Sequence, residues 1–174
     1  MNDRGFSLIE VIIVIAISSI LIGGAFISLN LLVFADTKKC AKEIDVILNK
    51  LRLQTLSKGM KYHYVVIEWN DLEKNYYLNM VTSSGELTES TWRTDADTIT
   101  SNLIADSNIT IQYSDRLDGT NIFTINRDNP CLLISMKPDS GAFRTTWKQI
   151  IISSRSNTTT IFMVTKTGKH YIEE

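Results

Sequence analysis

The sequence predicts an α+β protein: a long N-terminal membrane-spanning helix packed against a small antiparallel β-sheet head, with the strands in two small sheets. Three observations predict it. Residues 11–35 contain no charged side chain. Residues 36–58 place Cys40, Ile44, Ile47, Leu48 and Leu51 at helical spacing, so one apolar stripe runs along an otherwise wet helix. Beyond Gly59 the pattern changes to short runs of aromatic and β-branched residues, broken by Asn, Asp, Gly and Pro, as strands and turns require.

The helix comes first. At ~1.5 Å rise per residue the charge-free run could cross a hydrocarbon core of ~30 Å. Gly23 and Gly24 loosen this run or admit a neighbouring helix closely, and Asn30 is a polar interruption near one end. No proline separates the run from the amphipathic segment, so a continuous helix from about Ser7 to Lys58 is expected. Gly59 can take the left-handed conformation that stops it. Glu10 is the anomaly, because a carboxylate at the edge of an apolar run is costly without a partner or headgroup contact.

Gly5-Phe6-Ser7-Leu8-Ile9-Glu10-Val11, followed by a long apolar helix, resembles the processing site of type IV pilins and pseudopilins. The resemblance implies that a prepilin peptidase cuts between Gly5 and Phe6 and N-methylates Phe6. It implies an assembly role for Glu10, the fifth residue of the mature chain, against the amino terminus of a neighbouring subunit. A free amine there would offset the desolvation of the carboxylate in a packed helical core. The implied organisation is a leader over residues 1–5, a transmembrane half of the helix over 6–35, an amphipathic half over 36–58 and a β-rich globular head over 59–174. The leader departs from the family's basic character, since Asp3 balances Arg4. A competing reading takes Val33-Phe34-Ala35 as the cleavage site of an ordinary secretory signal, although the apolar run exceeds the usual ~7–15-residue core.

In the head, residues 62–69 and 75–82 read as a strand pair turned at Asn70-Asp71. Residues 108–113 and 121–126 flank the turn signal Asp118-Gly119. Asn129-Pro130 precedes a strand over 131–136, Pro138 to Gly141 marks a turn, and 149–153 and 158–165 are the clearest long strands. Lys166-Thr167-Gly168-Lys169 links to 170–172. Residues 86–107 read as loop with at most a short strand, with Trp92 as a core anchor. The order of turns and strands from Pro138 onward resembles the C-terminal part of GspH/FimT-type minor pseudopilins, whose last two strands lie in the head's second sheet.

Charge excludes a bulk electrostatic role. The chain has 18 Lys and Arg against 19 Asp and Glu, and residues 36–174 carry 17 of each sign. Lys137, Arg144, Lys148 and Arg155 with Phe143 and Trp147 could in principle stack and hold phosphates, but a solvated face with a core tryptophan is the simpler reading, and direct DNA binding is not expected. Cys40 and Cys131 read as small buried apolar residues, though one bridge is permitted. His63 and His170 are isolated and expected at surface or edge positions. With no close cysteine pair, zinc is not expected, and Asp115, Asp118 and Asp128 are explained by turns rather than calcium. No nucleophile elbow or phosphate-cradling motif is present, so no enzyme, catalytic residue or cofactor is expected.

The sequence therefore implies a structural minor pilin or pseudopilin of a type IV pilus, type II secretion pseudopilus or competence filament. The expected location is a single-pass cell membrane protein with an extracytoplasmic head, becoming a filament after assembly. Its expected partners are the prepilin peptidase, other pilin or pseudopilin subunits, the inner-membrane assembly platform and the lipid bilayer. The alternative is a membrane-anchored or secreted adhesin-like binding module, with its ligand surface sought in residues 87–107. A bulky residue in place of Gly5 is expected to block cutting, whereas Glu10→Val is expected to permit it and impair methylation or assembly. Gel mobility of the two variants checks this, and normal cutting of the Gly5 variant would remove the motif-based argument.

Overall fold

The computed structural model describes residues 8–57, 62–118, 120–155 and 157–173; within the first helix the side chains of Glu10 and of residues 22–35 are outside the description. Helix α1 runs Leu8–Ser57. The stop assigned to Gly59 falls outside the described residues. Strands β1 (Tyr62–Asn70) and β2 (Asn75–Ser83) form a hairpin, followed by the short helix α2 (Trp92–Asp95) and by β3 (Asp97–Asp106). Then come β4 (Thr110–Ser114), β5 (Ile122–Thr124), β6 (Cys131–Ser135), β7 (Gln149–Ser153), β8 (Thr158–Val164) and β9 (Lys169–Glu173). One sheet has the order β3-β2-β1-β6 and the other β5-β4-β7-β8-β9. All pairings are antiparallel.

The expected membrane-spanning helix is corrected. Among the described residues, no helix is long and apolar enough to cross a membrane. From Asp36 onward the helix is charged on one side and built into the head. The single-pass membrane location inferred from that helix is withdrawn with it.

The second half of α1 is where the fold is assembled. Cys40, Ala41, Ile44, Leu48 and Leu51 are fully buried; Cys40, Ile44, Leu48 and Leu51 follow one another at three or four residues, and Ala41 sits beside Cys40. The stripe meets residues from both sheets: Val65 and Ile67 of β1, Leu78 and Met80 of β2, Ile111 and Tyr113 of β4, Ile150 and Ile152 of β7 and Ile161 of β8. Burying each large aliphatic side chain contributes ~1.5–3 kcal/mol, so this one stripe supplies much of what joins the sheets.

The first sheet is covered on both faces. Val65 and Ile67 of β1 face α1, whereas Tyr64 and Val66 join Val81, Leu87, Trp92 and Cys131 in a second, smaller core. That double burial explains why β1 reads as a nearly continuous apolar run instead of alternating. Trp92 anchors the cover on the far face, as its sequence context suggested. The segment 97–106, expected to be mostly loop, is instead a ten-residue strand. Its Ser, Thr, Asp and Asn residues suit an exposed edge, and the register shifts between Tyr76/Tyr77 and Met80/Val81 break the period that would have betrayed it.

The β6–β7 and β8–β9 connections lock together at two glycines. Gly141 has φ +65° and Gly168 φ +67°, a region that side-chain-bearing residues adopt at a cost. A Cβ at Gly141 would come within 3.3–3.4 Å of the Arg52 and Leu56 side chains of α1, and a Cβ at Gly168 would overlap the Gly141 carbonyl oxygen. Gly168→Ala is expected to cost about 2 kcal/mol or more. Gly85→Ala, where a Cβ meets nothing within 4 Å, should stay within about 0.5 kcal/mol. Denaturant midpoints of the two variants check this; equal midpoints would show that the turns do not pack as described.

Candidate functional site

Two regions compete as the working part of this chain: the amino-terminal end of α1 and an open groove on the head. At the first, Gly5 and Phe6 lie outside the described residues. Glu10 is within α1, with its side chain outside the description. What the structure does place is the apolar surface just beyond. Leu8, Ile9, Ile12, Val14, Ile15, Ile17, Ile20 and Leu21 are each at least half exposed. A helix apolar on every side is stable only where something covers it.

The groove lies where the 86–87 segment, β6 and the β6–β7 loop approach β1. It encloses about 770 Å³. Its lining combines Tyr64, Leu87 and Leu133 with Ser135, Lys137 and Arg144. Arg144 is held in place by three contacts. Its Nη1 donates to Glu86 Oε1 at 2.8 Å, its guanidinium stands 5.0 Å from the centre of the Tyr62 ring, and its backbone N–H donates to the Ser135 carbonyl at 2.9 Å. Tyr64 Oη accepts from the Leu87 N–H at 3.0 Å, and burial pushes that phenol up from its ordinary value. The result is a fixed cation with a largely exposed counter-ion, Glu86, beside aromatic and aliphatic walls. Such a surface can exchange the Glu86 carboxylate for one on a ligand.

The ligand surface sought within residues 87–107 is thus only partly there. Leu87 and Trp92 are buried and β3 is sheet, so that segment supports the groove more than it forms it. The chemistry-bearing residues of the groove come from 64, 86, 135, 137 and 144, far apart in sequence, and only the basic character of Lys137 and Arg144 marked it in advance.

The remaining candidates resolve as structural. Phe143 is buried, and Trp147 packs against Tyr113 and Phe123 at 4.5 and 5.5 Å, so neither aromatic is free to stack on a base. The histidine expectation is corrected for His63, whereas His170 does lie on an edge strand, β9. His63 is buried on β1, an interior strand. The His170 ring is also buried, and its Nε2 lies 3.1 Å from Asp45 Oδ1 on α1. This pair ties helix to second sheet across a separation in sequence that no local signal reveals. Among the described residues, no group of three or more His, Cys, Asp or Glu gathers as a metal site. Asp115 accepts from Asn121 Nδ2 at 2.9 Å. Asp118 accepts from the Thr120 N–H and hydroxyl, which hold its carboxyl below the usual range. Cys40 and Cys131 are both free and buried, as the simpler sequence reading had it.

A family model described as the prokaryotic N-terminal methylation motif matches residues 1–26. No curated protein and no solved structure gives a significant match to the chain. The chain therefore carries a prepilin-type cleavage and methylation motif, attached to an α+β domain with two antiparallel sheets.

The thiols report directly on the helix–head packing. Burial, with a smaller contribution from Glu43, pushes Cys40 up to about 12. Burial is also the first cause that raises Cys131. A thiol whose folded pKa exceeds its unfolded one stabilises the fold at neutral pH, and that stabilisation is lost as pH rises from about 9 toward about 12. At pH 8 a thiol reagent is expected to leave both cysteines unmodified in the folded protein and to modify both after denaturation. Rapid modification of Cys40 in the folded protein would contradict the packing of its stripe.

Proposed function

We propose that this chain is a non-enzymatic, pilin-like protein in which a prepilin-processed amino terminus delivers a secreted binding head. The observation that carries the reading is the pairing of the methylation motif over residues 1–26 with a rigid β head that presents a groove around an immobilised arginine. In this reading a prepilin peptidase cuts between Gly5 and Phe6 and methylates Phe6. The second half of α1 serves as the beam on which both sheets are mounted. The groove supplies attachment, with Arg144 and Lys137 meeting anionic groups of a ligand and Tyr62, Tyr64 and Leu133 meeting its apolar parts.

A second reading is favoured by a different observation. The exposed apolar surface of α1 from Leu8 to Leu21 demands cover, and neighbouring helices of the same kind supply it through close packing. The chain would then be a minor subunit of a type IV pilus, type II secretion pseudopilus or competence filament, with Glu10 meeting the methylated amine of Phe6 on the next subunit. The two readings are compatible where the head sits at the tip of such a filament.

The groove reading is tested on cells producing the full chain. Arg144→Glu combined with Lys137→Glu should leave cutting at Gly5 unchanged and reduce attachment to bare and mucin-coated glass about tenfold, the loss of ~1.4 kcal/mol of charge-assisted contact. Undiminished attachment would show that the groove is not the binding surface.

A further inference from the structure

We propose that the head also carries a self-docking surface, in which the groove between α1 and β3 receives the β1–β2 hairpin tip of a second copy of this chain. This goes beyond the ligand groove, which lies elsewhere on the head and shares no lining residue with it.

The receiving groove encloses about 680 Å³. Lys39, Lys42, Glu43, Val46 and Ile47 of α1 form one wall and Ser101, Asn102 and Leu103 of β3 the other. Val46 is 55% exposed and Leu103 56%, an apolar floor beneath a rim of two lysines and one acid, Glu43. The exposure of Leu103 is built into the strand. Tyr76 pairs with Ala105 but Tyr77 pairs with Leu103, so Ile104 is an extra residue with no partner across the ladder. Ile104 and Ala105 both turn into the core, while Leu103 is left facing the groove. A second shift, from Met80↔Thr100 to Val81↔Thr98, leaves Ile99 unpartnered and 44% exposed. Two such breaks along one edge oppose the addition of another strand by backbone pairing. A partner at this edge must be recognised through its side chains.

The chain itself carries a matching projection. Leu72, at the β1–β2 tip, is 94% exposed, and the turn that presents it is braced. Asn70 Oδ1 accepts from the Leu72 N–H at 3.0 Å and from the Glu73 N–H at 3.3 Å. The Asn70 carbonyl accepts from the Lys74 N–H at 2.8 Å. Asp71 is fixed by Lys74 Nζ at 2.7 Å and by Trp69 Nε1 at 3.4 Å, with Arg127 at 3.9 Å. A leucine held this way loses little freedom on docking. Glu73, which takes the Tyr77 hydroxyl on one carboxylate oxygen, is the acid beside Leu72 that Lys39 or Lys42 would meet. Leucine on Val46 and Leu103, with Glu73 on Lys39 or Lys42, sets apolar against apolar and acid against base, with two lysines outnumbering Glu43 on the rim.

The tip cannot serve its own groove. Asn75 pairs with Asp106, so the hairpin projects past the end of β3, away from Ser101 and Leu103. Each copy therefore offers one tip and one groove, a heterologous contact that repeats into an open chain unless its rotation closes a ring.

Cysteine cross-linking in cells producing the full chain tests this. Leu72 and Leu103 are both exposed, so substitution there leaves the core intact, and the native cysteines are buried. A chain with Leu72→Cys and Leu103→Cys, oxidised with copper phenanthroline, is expected to give a ladder of covalent dimers and higher multimers. Either single variant should give at least tenfold less. Leu117→Cys with Leu103→Cys, also on exposed positions, is the control for random collision. Adding Lys39→Glu and Lys42→Glu should weaken the ladder. A double variant no better than the control pair overturns the proposal, as does cross-linking only to a protein of another mass. The amino-terminal peptide mass from the same cells reports processing separately, so a missing ladder beside normal processing defeats self-docking alone.

Discussion

The packing of one helical stripe between two sheets is the constraint on which the rest depends. Cys40, Ala41, Ile44, Leu48 and Leu51 contribute to a core shared by both sheets, and among the described residues no strand of one sheet pairs with a strand of the other. Removing the stripe would leave two curved sheets with exposed inner faces. The Asp45–His170 pair and the close approach of the Arg52 and Leu56 side chains to Gly141 add polar and steric register to the same contact. Position along the helix axis is thus set several times over, which fixes the second half of α1 rigidly to the head.

That rigidity divides labour along a single element. Toward its start α1 shows apolar side chains on every side; from Asp36 it has a dry face and a wet one. The first half is chemically suited to being covered by something else and the second to being covered by its own head. Both head surfaces argued above lie on or beside this beam: one groove uses Lys39, Lys42 and Val46 of the helix directly, and the other uses the loop that Gly141 pins against it.

Much of this was legible in the sequence. The amphipathic stripe, the β1–β2 hairpin and the strands at 131, 149 and 158 followed from periodicity and turn residues, because each is regular over its length. β3 was not legible, since two bulges and a Ser/Thr/Asp-rich face erase the alternation that marks a strand. His63 was misplaced because its burial is decided by the interior position of β1, and His170, though on an edge strand, has its ring covered by α1 through Asp45. The membrane-spanning half was overturned because a run without charges establishes only hydrophobicity, and among the described residues no helix is long and apolar enough to cross a membrane. The groove around Arg144 was marked only by the basic character of Lys137 and Arg144, as its members meet only after both β1 and β6 have paired and the 138–144 loop has folded back.

The methylation motif is the one feature that connects this architecture to a cellular process, and it rests on a few residues at the start of the chain. The most direct test is the exact mass of the amino-terminal peptide of the protein isolated from its native source. The account predicts a chain beginning at Phe6 and carrying one N-methyl group. A chain that begins at Asp36, or one that still begins at Met1, would contradict it.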